Sequence, residues 1–257
     1  MVKIKTTLRI VNVNKTYLTQ NHSIAALRNI NFNIEEGEFF CILGPSGCGK
    51  STLLRCIAGF EQVTEGEILL ADQPVRQLGP DRTMVFQTFE QLLPWKTVRG
   101  NVEFPMKAGN KASKKEIRDT ARHFINMVGL GDFKDNYPHE LSGGMKQRAA
   151  IARALALRPK VLLMDEPFAS VDAQTRTVLQ NELIRIWGSF QTTIVFVTHN
   201  IQEAIILGSK IAVMGKRPGI IRKIIDNNLK RPRFVGYPGF DDMWQELHAL
   251  LEFNRLP

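Results

Sequence analysis

Residues 44–51 form a glycine-rich segment whose residue types suit phosphate binding: they read GPSGCGKS and match the spacing G-x-x-x-x-G-K-[ST]. Glycines allow successive backbone N–H groups to turn toward an anion. Lys50 can reach the β- and γ-phosphates of a nucleotide, and Ser51 can offer its hydroxyl to Mg²⁺. An apolar run at 39–43 precedes the segment and a predicted helix over 51–58 follows it, so a helix dipole adds its positive end. We expect a nucleotide phosphate site here rather than an ordinary glycine-rich turn.

Two adjacent carboxylates, Asp165 and Glu166, end the apolar run at residues 161–164. In parallel α/β sheets ligands bind at the carboxyl ends of the strands, so this pair is expected beside the glycine-rich segment. Asp165 suits Mg²⁺, usually bound through water, and Glu166 is placed to polarise an attacking water. The alternative is an acid that only caps the turn before Pro167.

Three more polar residues follow predicted strands on the same side. Gln87 follows the apolar run at 84–86, His199 follows the run at 194–197 and its Thr198, and Asp172 lies just past the carboxylate pair. A single Gln or His at a strand end is more often structural. Found together near a phosphate site, each could contact the γ-phosphate, a metal or the attacking water.

Ser142 begins a predicted helix that contains two glycines in its first turn, Gly143 and Gly144. Serine is a natural N-cap, and the glycines leave the first-turn amides open. This helix start is therefore a second candidate for anion binding. The alternative is an ordinary helix cap.

The strands expected to position these residues form an α/β fold. Short, nearly unbroken apolar runs are typical of parallel strands that helices cover on both faces. They occur at residues 39–43, 84–86, 161–164, 194–197 and 211–214. Alternating apolar residues within 8–34 predict further strands before the glycine-rich segment.

The helices between the strands can also be predicted. Ser113 followed by Glu116 is a capping box at the start of one helix. Two more are expected over 145–156 and 174–187, and a last one opens at Asp241. The apolar residues of that last helix are expected to face inward: Met243, Trp244, Leu247, Leu250 and Leu251.

The composition is that of an ordinary globular protein. The chain has 257 residues, of which 44% are hydrophobic and 23% charged, and this excludes the disordered, collagenous and coiled-coil classes. No apolar run approaches the roughly 20 residues of a membrane-spanning helix, and the first residues lack the apolar core of a signal peptide. We expect the protein to stay in the cytoplasm.

The net charge of +9 suits nucleic acid, an anionic membrane face or polyphosphate ligands, and charge alone does not choose among them. The densest basic stretch, residues 216–233, is interpreted as a solvated face because no aromatic residues interleave there to stack on bases. Cys41, Cys48 and Cys56 include no C-x-x-C pair, so we expect reduced thiols.

Taken in order, these segments resemble the ATP-binding cassette (ABC) ATPases. The resemblance rests on GPSGCGKS, Gln87, LSGGMKQR at 141–148, VLLMDEP at 161–167, Asp172 and His199, and it covers nearly the whole chain. It implies an α/β P-loop NTPase (RecA-like) core with an antiparallel β subdomain and an inserted helical subdomain at about 90–140. The ABC domain is expected over residues 8–240 and a C-terminal helix over 241–257, too short for a separate regulatory domain.

The resemblance implies ATP and Mg²⁺ as ligands and a role for each matching residue. Tyr17 corresponds to the aromatic residue that stacks on adenine. The phosphate loop is implied to bind ATP through Gly44, Pro45, Ser46, Gly47, Cys48, Gly49, Lys50, Ser51 and Thr52. The contacts implied to reach ATP across a dimer are those of Ser142, Gly143, Gly144 and Asp172. The implied catalytic residues are Lys50, Gln87, Glu166 and His199, and the implied Mg²⁺ ligands are Ser51, Gln87 and Asp165.

Partners are implied as well. One phosphate loop and one LSGG signature per chain require two chains to close head to tail. The resemblance further implies a transmembrane permease, indirectly a solute-binding protein, no nucleic acid, and a peripheral position on the cytoplasmic face of the cell's inner membrane. The permease is expected to dock near residues 89–95, where LLPW would be an odd apolar set to leave in water; the alternative is ordinary core.

Within the family, LLPW at 92–95 and the Arg217, Pro218, Gly219 motif resemble importers for nitrate, sulfonates, taurine and related solutes. Two departures, ASV at 169–171 and Asn200 after the histidine where Asp is frequent, concern only the packing of those loops. Two rivals remain: an ABC-type ATPase of nucleic-acid repair or translation, which the charge permits, and an exporter ATPase. The first usually carries coiled-coil insertions, zinc C-x-x-C pairs or two cassettes per chain, which this sequence lacks.

Overall fold

A computed structural model describes residues 6–19, 22–87, 91–109, 113–169, 171–190 and 192–252. The chain divides into two compact units. The first unit comprises Met1–Gly79 and Gln191–Pro257, and the second is Pro80–Phe190. The domain limits expected from the sequence, 8–240 and 241–257 with a helical subdomain at about 90–140, stay a prediction, and residues 253–257 lie outside the described part of the chain.

The described residues form strands and helices in alternation after an initial run of strands. In chain order they are β1 (Thr6–Leu18), β2 (Ser23–Glu35), β3 (Phe39–Leu43), α1 (Lys50–Ala58), β4 (Glu65–Leu70), β5 (Gln73–Pro74), β6 (Arg82–Val85), α2 (Val98–Ala108), α3 (Lys114–Met127), α4 (Gly143–Leu155), β7 (Val161–Asp165), α5 (Ala173–Phe190), β8 (Thr193–Thr198), α6 (Ile201–Leu207), β9 (Lys210–Met214), β10 (Ile221–Asp226) and α7 (Phe240–Glu252).

The first unit contains both kinds of sheet. An antiparallel sheet has the strand order β2-β1-β4-β5. In the second arrangement β3 lies between β8 and β9 and is parallel to both, while β10 pairs with β9 in the antiparallel sense. Every residue of β3 and β8 is buried. The expectation of parallel strands covered on both faces is therefore confirmed, and so is the run of strands before the glycine-rich segment.

Among the described residues, the second unit combines two parallel strands with four α-helices and two short 3-10 helices, Gly131–Phe133 and Pro138–Glu140. β6 and β7 run parallel, with Val85 opposite Met164 near their carboxyl ends. The capping box of α3 is present as expected, because Ser113 accepts from the Glu116 amide and the Glu116 carboxylate accepts from the Ser113 amide. The alanine-rich α4 buries most of one side, which brings it against α2, α3 and α5.

Two features differ from the sequence expectation. The seven-residue α6 was not predicted, because a helix of two turns is too short to show a periodic pattern. In α7 the residues expected to face inward are only half-buried, with the exception of Leu247. α7 contacts α6 and β9, so it packs on one side only. Its Trp244 ring instead stacks on His248, with 4.6 Å between ring centroids.

The basic stretch at 216–233 is not a wholly solvated face, and this corrects the sequence interpretation. Arg233 is only 8% exposed, and Arg231 is half-buried. Both guanidinium groups donate to carbonyl oxygens at the C-terminal end of α6. Planar donor groups can satisfy the carbonyls that a helix end leaves unpaired, which gives these two charges a structural use.

Candidate functional site

The glycine-rich segment forms a loop between the buried strand β3 and helix α1. Gly47 and Gly49 adopt φ values of 77° and 105°, in the left-handed region that favours glycine. Ser46 and Gly47 form its exposed tip, whereas Cys48 is buried. The loop thus leads directly into the first turn of α1, and a helix start is where backbone amides and the helix dipole favour an anion.

The side chain of Lys50 is folded back over this loop. It is 4% exposed, and its ammonium donates to the carbonyl oxygens of Gly44 at 2.8 Å and Pro45 at 2.9 Å. A buried ammonium needs such partners because desolvation is costly. The ammonium group of Lys50 therefore lies against the loop and does not extend into solvent.

His199 follows β8 at the same end of the sheet as the loop. The Gly44 amide donates to the carbonyl oxygen of Thr198 at 3.3 Å, which ties the loop to the end of β8. Because β3 and β8 are parallel neighbours, the loop and the exposed His199 emerge side by side. The structure thus brings together two of the features that the sequence indicated separately.

A network on both sides of His199 holds its backbone. The Thr198 hydroxyl donates to the Glu203 carboxylate at 2.5 Å and accepts from the Asn200 amide at 3.0 Å. The Asn200 side chain caps α6 by accepting from the amides of Gln202 and Glu203. Asparagine is as good an N-cap as aspartate, so the departure from the family pattern at this position leaves the helix start intact.

Tyr17 lies on β1 with its ring half-buried. Its hydroxyl donates to the carboxylate of Glu61, and the ammonium of Lys15 lies 4.8 Å from the ring centroid. Burial raises the pKa of the Tyr17 hydroxyl, and the bond to Glu61 raises it further, while a hydrogen bond with Thr52 on α1 lowers it. Both Tyr17 and Thr52 were expected to be nucleotide contacts, and the hydrogen bond between them places the two side chains together.

In the second unit, the carboxylate pair ends the buried strand β7. Asp165 is 7% exposed, and Glu166 follows with a φ of 42°, a left-handed conformation that residues other than glycine, asparagine and aspartate rarely adopt. The Glu166 carbonyl oxygen accepts from the Ala169 amide at 3.1 Å, which closes a turn. The turn ends the strand directly after Asp165 and redirects the chain at Glu166.

Gln87 follows the neighbouring strand β6 and is exposed. The side chain of Gln91 accepts from the Phe86 amide and donates to the Phe86 carbonyl, both at 3.3 Å. This pair of bonds ties Gln91 to the backbone of Phe86, next to Gln87. Since β6 and β7 are parallel, the segments carrying Gln87 and Glu166 leave their strands at the same end.

The remaining expected residues lie at the starts of α4 and α5. The Ser142 hydroxyl accepts from the Met145 amide at 3.3 Å, which confirms Ser142 as the N-cap of α4. A Cβ at Gly144 would lie 2.6 Å from the Thr175 methyl group, so this glycine lets α4 approach α5 closely. Asp172 accepts from the Thr175 and Gln174 amides, and these bonds hold the pKa of its exposed carboxyl below the usual range.

Several residues that shape the site carried no sequence signal. Glu203 and Met214 look like ordinary helix and strand residues, and Gln147 in α4 is fully buried with no hydrogen-bond partner for its amide among the described residues. Gly219 belongs to a motif noticed in the sequence, but nothing there connects it to the phosphate loop. Met214 and Gly219 act through contacts with the phosphate loop, which is distant from them along the chain.

No group of three or more His, Cys, Asp or Glu side chains that could hold a metal ion by themselves occurs in the described part of the chain. Among the same residues, none of the helices combines the length and apolar character needed to cross a membrane.

Comparison with known proteins gives consistent relatives. A family model described as ABC transporter matches residues 27–169. The nitrate import ATP-binding protein NrtD of Synechocystis sp. is 49% identical over 222 residues, which cover 86% of this chain and 83% of that protein. The aliphatic sulfonates import ATP-binding protein SsuB of Bacillus cereus is 42% identical over 249 residues, which cover 97% and 96%.

Solved structures agree with the sequence relatives. The dimeric ATP-binding cassette MJ0796, in a post-hydrolysis state bound to ADP and Pi, superposes with a TM-score of 0.76 at 35% identity and covers 87% of this chain and 100% of that one. The protein cbiO1 from Clostridium perfringens, part of the cbiONQ transporter complex, gives 0.78 at 30% identity, with 87% and 89% covered. The predicted α/β P-loop NTPase fold is thereby confirmed.

Proposed function

The chain belongs to the ABC transporter family of ATPases, and from that premise we propose that it energises import of a small anionic solute, such as nitrate or an organic sulfonate. Hydrolysis of ATP is the activity of the family. The observation that supports import is the identity of 49% and 42% with proteins named for nitrate and sulfonate import, each covering more than four fifths of both chains.

The phosphate loop supplies charge and positioning in this proposal. Its backbone amides and the ammonium of Lys50 neutralise the phosphate charge, which is most of what catalysis of phosphoryl transfer needs. Lys50 is already desolvated, so its attraction for a phosphate is stronger than that of a surface lysine. Tyr17 offers a ring to the adenine, and its hydroxyl is held by Glu61.

The Mg²⁺ ligands proposed are Ser51, Gln87 and Asp165. They offer a hydroxyl, an amide and a carboxylate oxygen, the hard oxygen donors that Mg²⁺ prefers, with water in its remaining positions. When bound, the ion would neutralise charge on the phosphate oxygens. Only one of these three ligands, Asp165, carries a negative charge. The complex with Mg²⁺ and ATP is therefore less negative than it would be with three carboxylate ligands.

Glu166 and His199 are proposed to handle the attacking water and the γ-phosphate. A carboxylate within hydrogen-bond reach can take a proton from water as the new bond to phosphorus forms. The Thr198, Glu203 and Asn200 network holds the backbone on both sides of His199, so the position from which its imidazole would reach the γ-phosphate is set in advance.

A second copy of the nucleotide-binding subunit is proposed to complete each ATP site. Dimeric cassettes among the structural neighbours support this. Ser142, Gly143 and Gly144 would offer helix-start amides to the γ-phosphate on the facing copy. Asp172 would lie nearby, because Gly144 and the Asp172 cap meet at Thr175 within one chain.

A membrane permease is the further partner proposed, with a solute-binding protein acting through it. Trp95 is 69% exposed whereas Leu92 is buried. Within LLPW, Leu92 therefore belongs to the core and Trp95 lies at the surface. A large exposed indole suits a hydrophobic contact with a partner. Phe89, at the other end of the expected docking segment, lies outside the described residues. We place the subunit peripherally on the cytoplasmic face of the inner membrane.

The proposal is tested by reconstituting this chain in liposomes with the permease that co-purifies with it. ATP hydrolysis should rise when a solute-binding protein loaded with nitrate or an alkanesulfonate is supplied on the face opposite the ATPase. Stimulation by solute on the ATPase face, with no need of a binding protein, would identify an exporter instead. Stimulation by neither nitrate nor sulfonate, but by another loaded binding protein, would refute the solute class.

A further inference from the structure

The turn between β9 and β10, residues 215–220, lies against the phosphate loop. Gly219 of this turn is buried, and a Cβ added to it would come well inside 3.0 Å of the Cys48 carbonyl oxygen, a separation that real Cβ atoms essentially never show. The backbone of Gly219 therefore touches the backbone of the loop directly. Only glycine permits so close an approach here.

The turn is anchored independently of the loop. The Gly219 amide donates to the Ala26 carbonyl at 2.8 Å, and the Arg28 amide donates to the Gly219 carbonyl at 2.9 Å. These bonds attach Gly219 to β2 beside Leu27. The Gly215 amide donates to the Ile220 carbonyl at 2.9 Å and closes the turn. Gly219 is thus fixed by β2 on one side while it supports Cys48 on the other.

Met214, the last residue of β9, completes this support. A Cβ at Gly44 would lie 2.9 Å from the Met214 carbonyl oxygen, and one at Gly49 would lie 2.9 Å from the Ala26 carbonyl oxygen. The end of β9 and the neighbouring part of β2 therefore enclose the back of the loop along its length. Its front, formed by Ser46 and Gly47, is exposed. The loop is therefore packed against backbone on one side and open on the other.

We propose that Gly219 is a positioning residue for the phosphate loop: held on β2, it keeps the Cys48 carbonyl in place and so aims the loop amides at the ATP phosphates. It touches no nucleotide itself. The inference rests on ATP binding at this loop, as assigned above, and adds a function for the Arg217, Pro218, Gly219 motif. Oriented amides contribute to phosphate binding because their positions are set before the ligand arrives.

The sharpest test is Gly219→Ala in the full chain. The added methyl group must displace either the Cys48 backbone or Gly219 itself, which two hydrogen bonds hold. A displacement of about 1 Å can cost about 100-fold in an oriented site, so we expect kcat/KM for Mg-ATP to fall about 10- to 100-fold, mostly through a raised KM. The melting temperature without nucleotide should stay close to that of the control.

Gly215→Ala is the matched control. It adds the same methyl group to the same turn, where the nearest atoms belong to the side chains of Arg222 and Ile220 rather than to the loop. We expect parental KM for ATP in this variant. The double variant Met214→Ala with Gly219→Ala removes the flexible methionine end that also lies near the added Cβ. If the loop backbone is the contact that matters, this double variant keeps the raised KM.

Three results would each overturn the proposal: a parental KM for ATP in Gly219→Ala, an equal loss of kcat/KM in Gly215→Ala, or a return to the parental KM in the double variant. If Gly219→Ala does not fold, amide hydrogen exchange measured on the parent chain tests the proposal instead. ATP should slow amide exchange in the peptide that covers 215–220 as well as in the loop, and unchanged exchange in that peptide would refute the coupling. A parent chain that fails to bind ATP would instead refute the function proposed for the loop.

Discussion

Glu166 combines a carboxylate at the end of a buried strand with a backbone φ of 42°. A residue of this type in the left-handed region costs of order 1–3 kcal/mol, and such strain is most often retained where it serves a site. Asp165, its neighbour, has no such strain and stays inside the strand. At the scale of single residues, the backbone thus distinguishes the proposed base from the proposed metal ligand.

Glu166→Gln should lower ATP hydrolysis by about 10²–10⁴-fold, because the amide keeps the size of the side chain but cannot accept the proton of the water. ATP binding should persist, since Lys50 and the loop are unchanged. Glu67→Gln, the same change at an exposed residue of β4, is the control and should hydrolyse ATP normally. A parental rate in Glu166→Gln would show that the base is elsewhere.

The same variant should elute as a dimer in ATP and as a monomer in ADP on size-exclusion chromatography, because unhydrolysed ATP holds two chains together. Adding Ser142→Arg should abolish that dimer by placing bulk and charge at the start of α4. An inactive Glu166→Gln chain that stays monomeric in ATP would mean that the competent partner is a different chain.

At the scale of elements, α6 is a two-turn helix that depends on its ends. A helix this short gains little from propagation, so its stability comes from tertiary contacts. Asn200 caps its start beside His199, and Arg231, Arg233 and the Asn227 amide satisfy carbonyls at its end. Burial and the nearby charge of Arg231 lower the pKa of Arg233 to about 10, which leaves it charged at neutral pH.

Arg233→Met should lower the free energy of unfolding by about 3 kcal/mol, because it removes all the hydrogen bonds that a buried guanidinium donates to backbone carbonyls. Its guanidinium donates to the carbonyls of Ile205, Gly208, Asn227 and Leu229. Lys230→Met, an exposed position in the same basic stretch, should change stability by less than about 0.5 kcal/mol. Urea titration of both variants measures the difference. Equal effects would mean that Arg233 contributes only general positive charge.

At the scale of the whole molecule, burial sets the reactivity of the three cysteine thiols. Cys41, Cys48 and Cys56 are free and buried. Burial raises the pKa of the Cys56 thiol to about 12 and raises that of Cys41 as well. Cys48, inside the phosphate loop, is 1% exposed, so an alkylating reagent has little access to it in the folded protein.

We therefore predict that stability falls as pH rises above about 9. An unfolded thiol ionises near its ordinary pKa, while the folded Cys56 stays protonated until about 12. Between the unfolded and folded pKa values the folded state binds one more proton than the unfolded state, so the free energy of unfolding falls as pH rises. This stabilisation is complete below about pH 9 and is lost as pH rises through the folded pKa. Urea unfolding between pH 8 and 11 should show a shallower decline in Cys56→Ala than in the parent. Identical slopes would contradict the pKa assigned to Cys56.

The sequence alone determined the features that depend on near neighbours. The glycine-rich loop, the α3 capping box and the buried apolar strands β3, β7 and β8 were predicted close to where they occur, because spacing and periodicity act within a few residues. The order of the motifs was also enough to indicate the family.

The tertiary structure decided what distant segments do to one another. The burial of Arg233, its hydrogen bonds to carbonyls at the end of α6, and the contact of Gly219 with Cys48 all involve residues far apart in the chain. Whether an arginine is solvated, or whether a glycine is needed, depends on which atoms the fold brings within a few ångströms. Packing of this kind leaves no periodic or local pattern, and only the folded chain specifies it.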